Sequence, residues 1–121
     1  MKVIIAGSRS ITDPKLLDRA IYDALGLKGI NITEVVCGMA PGVDMLGWRW
    51  AKETNTPIKE MPAQWKRPDG TRDKYAGFKR NQEMAEYADA AILLWDGRSN
   101  GTYNMKCHIE RVNKPFYLVR I

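Results

Sequence analysis

The 121-residue chain holds only two cysteines, one histidine and two phenylalanines. Cys37 and Cys107 lie far apart and share no C-x-x-C spacing, so they read as reduced, partly buried thiols rather than a disulfide or metal site. His108 has no evident partner, which leaves no Ser-His-Asp set, and no residues show metal-ligand spacing. Neither a metal nor a cofactor is expected. No apolar stretch approaches the roughly 20 residues that span a bilayer. The opening Met1–Gly7 is too short and too quickly polar for a signal peptide. A cytoplasmic protein without membrane contact is the expectation. Two phosphate signatures are also missing, G-x-x-x-x-G-K-[ST] and the strict G-x-G-x-x-G, so neither a P-loop nor an ordinary dinucleotide fingerprint is present.

What is present fits one folded domain over residues 1–121, long enough to bury a core without staples. Nineteen basic residues against fourteen acidic ones give a net charge of +5. That balance favours an anionic partner without choosing between a nucleotide and a nucleic acid.

Hydrophobic patterning gives an alternation of strands and helices. Lys2–Ala6 is a short apolar, β-prone run that stops at Gly7-Ser8-Arg9. Asp13-Pro14 supplies a helix cap and a first-turn proline, and Leu16, Leu17, Ala20, Ile21, Ala24 and Leu25 follow at helical spacing. Gly26 or Gly29 can end this helix. A second strand over Thr33–Cys37, a helix from about Val43 to Thr54 and a third strand over Pro57–Met61 come next. The charged segment Trp65–Gly77 has no periodicity and reads as a long loop, functional or disordered, with the basic stretch Lys66–Lys79 as a candidate lid. A helix over Phe78–Tyr87, a strand over Ala90–Trp95, a helix over Gly101–Val112 and a strand over Phe116–Arg120 complete the series. Met105, Ile109 and Val112 fall on the inner face of the last helix. The alternation predicts an α/β fold: a Rossmann-like three-layer domain of about five mostly parallel strands in the order 3-2-1-4-5.

In such sheets ligands bind beyond the carboxyl ends of the strands, and the unusual residues of this chain cluster there. The first strand ends in Gly7-Ser8-Arg9-Ser10, the second in Cys37-Gly38-Met39-Ala40-Pro41-Gly42-Val43-Asp44, the third beside Trp65. The fourth ends in Asp96-Gly97-Arg98-Ser99-Asn100-Gly101-Thr102. Gly38, Gly42 and Gly101 each precede a predicted helix, where glycine allows close backbone approach and free amides favour an anion. The alternative for each is a turn closing a strand-helix joint, with Asn100 or Thr102 as a cap. Arg9 and Arg80 are the candidate cations, since a guanidinium can hold a phosphate through two parallel hydrogen bonds. Asp44 and Asp96 read as acceptors for ribose hydroxyls, as a base, or as Asx turns and helix caps. Trp65 is placed to stack on a base. Trp48 and Trp50 share one helix and read as core packing.

Taken in order, "VIIAGSR", "CGMAPGVDMLGWRWA", "PAQW", "KRNQEMAEYADAAILLWDGRSNGT" and "NKP" resemble the YspA-like branch of the SLOG superfamily, named for Smf/DprA and LOG proteins. The resemblance runs over nearly the whole chain. It implies a Rossmann-like fold and a nucleotide or nucleotide-derived, ADP-ribose-like ligand. It also implies a homodimer, with Trp48, Trp50 and their helix as a candidate surface. The Arg-Lys-x-x-Met signature of LOG enzymes is similar to Arg80-Asn81-Gln82-Glu83-Met84, which carries their catalytic arginine onto Arg80 and brings in Asn81. Their Pro-Gly-Gly-x-Gly-Thr-x-x-Glu signature is similar to Asp96–Met105, where its Gly-Thr carries over as Gly101-Thr102; Gly97 and Ser99 belong to the same candidate ligand loop. The catalytic glutamate of that signature falls on Met105, which cannot act as a base. Asp96, Asp44 or Glu83 would have to take its place. Three functions follow as expectations: binding of a nucleotide-derived ligand, LOG-like hydrolysis of an N-glycosidic bond in a nucleoside monophosphate with Arg80 and Asp96 as catalytic residues, and nucleic-acid binding like that of Smf/DprA.

Overall fold

Five short strands set the framework, and the computed structural model, which describes residues 1–121, pairs all five in one parallel sheet. The strands are β1 (Lys2–Gly7), β2 (Glu34–Cys37), β3 (Ile58–Glu60), β4 (Ala90–Trp95) and β5 (Phe116–Arg120). Their order is β3-β2-β1-β4-β5, as expected from the sequence. Four helices connect them: α1 (Pro14–Lys28), α2 (Val43–Glu53), α3 (Ala76–Tyr87) and α4 (Asn100–Arg111). None of these helices is long and apolar enough to cross a membrane.

β4 is apolar at every position, and β1 is so after Lys2, because both faces of the sheet are covered. Side chains alternate between the faces. Val3, Ile5, Val35, Ile92 and Leu94 join Leu17, Ala20 and Ala24 of α1 and Leu46 and Ala51 of α2 in one core. Ile4, Ala6, Val36, Ala91 and Leu93 join Met84 and Ala85 of α3 and Met105 and Ile109 of α4 in the other. Burying each Val, Leu or Ile stabilises the fold by about 1.5–3 kcal/mol. Trp48 and Trp50 are half-buried against the first core, and the Trp48 indole donates to Glu60 at 3.0 Å.

Local signals place the helix ends. Asp13 caps α1 by accepting from the Lys15 amide at 3.0 Å, with Pro14 in the first turn. Gly29, not Gly26, ends it: Gly29 sits at φ 65°, and the Gly29 and Ile30 amides donate back to Leu25 and Ala24.

The segment after β3 departs from the aperiodic loop expected of it. Lys66 and Arg72 form an antiparallel bridge, and the Arg67 amide donates to Thr71 at 2.8 Å. Pro68-Asp69-Gly70 makes the turn, with Gly70 at φ 90° and Asp69 accepting from both the amide and the hydroxyl of Thr71. The base of this hairpin is pinned by Asp73, which is buried and pairs with Lys79 at 2.7 Å. The turn residues carried that signal; the high charge around them hid it. The α3 helix also starts two residues before the expected Phe78, at Ala76.

Candidate functional site

Chain direction reverses its winding between β1 and β4, the central pair, and a cleft opens beyond their carboxyl ends. Its cavity measures about 420 Å³. Lining it are Ala6, Gly7, Arg9 and Ser10 after β1, Ala40 and Asp44 at the start of α2, and Trp65 from the hairpin. Gly77, Phe78, Arg80, Asn81 and Met84 come from α3, and Asp96, Ser99, Gly101, Thr102 and Met105 from the β4–α4 region.

Three elements meet at Gly38. The Arg80 guanidinium donates through Nη1 to the Gly38 carbonyl at 2.5 Å, and Asp44 lies on the other side. A Cβ at position 38 would collide with Arg80 Nη1 and sit 2.8 Å from Asp44 Oδ2, so only glycine leaves room for both. Arg80 Nε also donates to Asn81 Oδ1 at 3.1 Å. The Asn81 amide nitrogen in turn donates to the Gly101 carbonyl and to Asn104 Oδ1, each at 3.1 Å. This chain of bonds ties the β2–α2 loop to the first turn of α4.

Asp44 is 5 % exposed, and its Oδ2 accepts from the Ala40 amide at 3.2 Å. Burial pushes its carboxyl up to about 6, with the Arg80 guanidinium pulling against that rise. Burial also lowers the Arg80 pKa, and the Asp44 charge opposes that shift. Arg9, by contrast, is exposed at the cleft edge; neither arginine takes part in any of the four ion pairs.

Asp96 is committed to its own loop. Its Oδ1 accepts from the amides of Arg98 and Ser99, each at 2.8 Å, and those bonds hold its pKa below the ordinary carboxylate value. Its Oδ2 lies 3.5 Å from Ser10 Oγ. Ser99 caps α4, accepting from the Thr102 amide at 3.3 Å and the Thr102 hydroxyl at 3.1 Å. The Tyr103 amide turns back to the Ser99 carbonyl. The amides of Asn100 and Gly101 have no partner within the chain, and a Cβ at Gly101 would meet nothing closer than 4.0 Å. That first turn therefore presents two free donors to open space.

Of the residues singled out from the sequence, Gly7, Arg9, Ala40, Asp44, Trp65, Arg80, Asn81, Asp96, Ser99, Gly101 and Thr102 line this cavity. Ser8, Gly38, Gly42 and Gly97 do not; they shape its rim. Ser8 is buried, and its Oγ accepts from the Asp96 amide at 2.9 Å, joining the β1 and β4 loops. Gly42 sits at φ 84° with its missing side chain directed at the Arg9 backbone, 2.5 Å from its Cα. Gly97 turns the loop at φ 83° beneath the Arg120 guanidinium. Ala6, Gly77, Phe78 and Met84 are lining residues that sequence reasoning missed, and Ser10 was noted only as part of the first strand's end. Positions 77, 80, 81 and 84 are one face of α3 at helical spacing, which is the signal that identifies them. Met105 is 1 % exposed and reaches both the core and the cavity, so a thioether stands where the LOG signature has its acid. No group of three or more His, Cys, Asp or Glu side chains that could hold a metal ion comes together.

An open parallel sheet of this order, with a polar cleft at its switch point, defines a Rossmann-like α/β protein. The chain belongs to the YspA, cpYpsA-related SLOG family (YAcAr), whose family model matches residues 1–67. Neither the curated proteins nor the solved structures give a significant match.

Proposed function

We propose that the cleft binds a nucleotide or a nucleotide-derived molecule through its phosphate. The observation that carries this reading is the convergence of Arg9, Arg80 and the first turn of α4, with its unpartnered Gly101 amide, on one cavity at the sheet's switch point. Arg9 and Arg80 supply charge, and the Asn100 and Gly101 amides supply fixed donors aided by the α4 dipole. Met84, Met105 and Phe78 give the rest of the ligand an apolar surface, while Trp65 offers a face for a base. Family membership supports a nucleotide-related ligand of this kind.

Binding ranks above N-glycosidic hydrolysis because Met105 has no proton to give or take and Asp96 Oδ1 is engaged by its own loop. Nucleic-acid binding has only the net charge of +5 and the resemblance to Smf/DprA behind it.

A thermal-shift titration with a panel of nucleoside mono- and diphosphates tests the reading. We expect stabilisation by at least one of them, and a loss of roughly 10- to 100-fold in affinity in Arg80→Ala, the size of a lost charge-assisted hydrogen bond. A panel that gives no shift at millimolar ligand would contradict it.

A further inference from the structure

The main cavity has a neighbour. A second cavity of about 380 Å³ lies against the β2–α2 loop and the segment after β3, lined by Gly38, Met39, Pro41, Pro62 and Ala63. Four further residues line it, Arg9, Ala40, Trp65 and Arg80, and all four also line the first cavity. The wall between the cavities therefore contains both candidate arginines.

We propose that the two cavities are halves of one cleft whose ligand is a two-part nucleotide conjugate, its phosphate link at Arg9 and Arg80 and a flat, weakly polar group in the second half. This rests on the nucleotide reading of the first cavity and extends it. The two halves differ in chemistry. The first holds the carboxylates of Asp44 and Asp96, the hydroxyls of Ser10 and Ser99 and the Asn81 amide, groups suited to ribose and phosphate. The second holds no acidic side chain; Met39, Pro41, Pro62, Ala63 and Trp65 offer it an apolar lining. A planar base fits that lining and stacks on Trp65.

Arg80 is held for both sides at once. Its Nη1 reaches the Gly38 carbonyl beside the second cavity, and its Nε reaches Asn81, which lines the first. The loop is also held in an uncommon conformation. Met39 sits at φ 63°, a region that non-glycine residues seldom enter, and its amide has only the weak acceptor Cys37 Sγ at 3.4 Å. Each cavity alone lies within the size range of small-molecule sites, so a mononucleotide in the first leaves the second unfilled.

Isothermal titration of the full chain with AMP, ADP and diadenosine pyrophosphate tests the proposal. Diadenosine pyrophosphate is expected to bind at least about tenfold more tightly than either mononucleotide. Ala63→Trp, which places an indole in the second cavity, is expected to abolish that difference; a difference that persists in Ala63→Trp would overturn the proposal. ADP matching diadenosine pyrophosphate would overturn the proposal, because added charge alone would then explain the gain. Two molecules of AMP bound per chain would overturn it as well, since the halves would act separately. Either result leaves the nucleotide reading standing, whereas binding by none of the three compounds overturns both.

Discussion

Asp44 and Arg80 flank Gly38, and the burial of Asp44 decides how this group responds to pH. In the unfolded chain Asp44 titrates at the ordinary carboxylate value of 3.8, against about 6 in the fold. Between those values the folded state keeps a proton that the unfolded state has released, so this group makes stability fall as pH rises through the window. Asp96 works in the opposite sense: its pKa is lowered, so its contribution is present above the ordinary carboxylate value and is lost on acidification. Asp44→Asn removes only the first effect. Its stability relative to the parent protein is expected to rise by up to about 3 kcal/mol between pH 4 and pH 7, read from urea midpoints at each pH. A difference that stays constant across that range would show that burial does not hold Asp44 in its protonated form. The meeting of Asp44, Arg80 and Gly38 was not legible in the sequence, because Arg80 lies 42 positions from Gly38 and only the fold brings them together. Arg9 and Asp96 were legible because each follows closely on a strand, and Gly101 because it opens the helix after one.

Elements approach one another at distances that single glycines set. Gly47 lies in the middle of α2, and a Cβ there would sit 2.8 Å from Ile5 Cβ and 2.7 Å from its Cγ2. Ile5 is fully buried on β1, so neither partner can move away freely. Gly47→Ala is expected to cost about 1–3 kcal/mol in urea unfolding. At Gly26 in α1 an added methyl group would have no neighbour within 4 Å, and Gly26→Ala is expected to stabilise by roughly 0.5–1 kcal/mol through helix propensity. A Gly47→Ala protein as stable as the parent would contradict the close packing of α2 on β1. Strands and capped helices were readable because burial on both sides leaves continuous apolar runs, and because Asp13-Pro14 and Gly29 act locally. The inner face of α3 was not, since Gly77, Arg80 and Asn81 line a cleft and so break the apolar stripe that marks a helix packed on a core.

At the scale of the whole molecule, the two cores share one sheet: β1 and β4 send alternate side chains into each. Neither core can dissolve while the other stays intact, so urea unfolding followed by tryptophan fluorescence and by far-ultraviolet circular dichroism is expected to give coincident transitions. Separate midpoints would mean that one half unfolds alone. The family match ends at residue 67, while Arg80, Asn81 and the Asp96–Thr102 loop lie beyond it, so the cleft joins the matched part of the chain to the rest. The central claim is that a phosphate is held where these parts meet. Titrating AMP into isotopically labelled protein and following backbone amide resonances tests it most directly. The account predicts that the Asn100 and Gly101 amides move furthest and that Arg80→Ala suppresses the movement; resonances that stay still there, or that shift only at a distant surface, would contradict it.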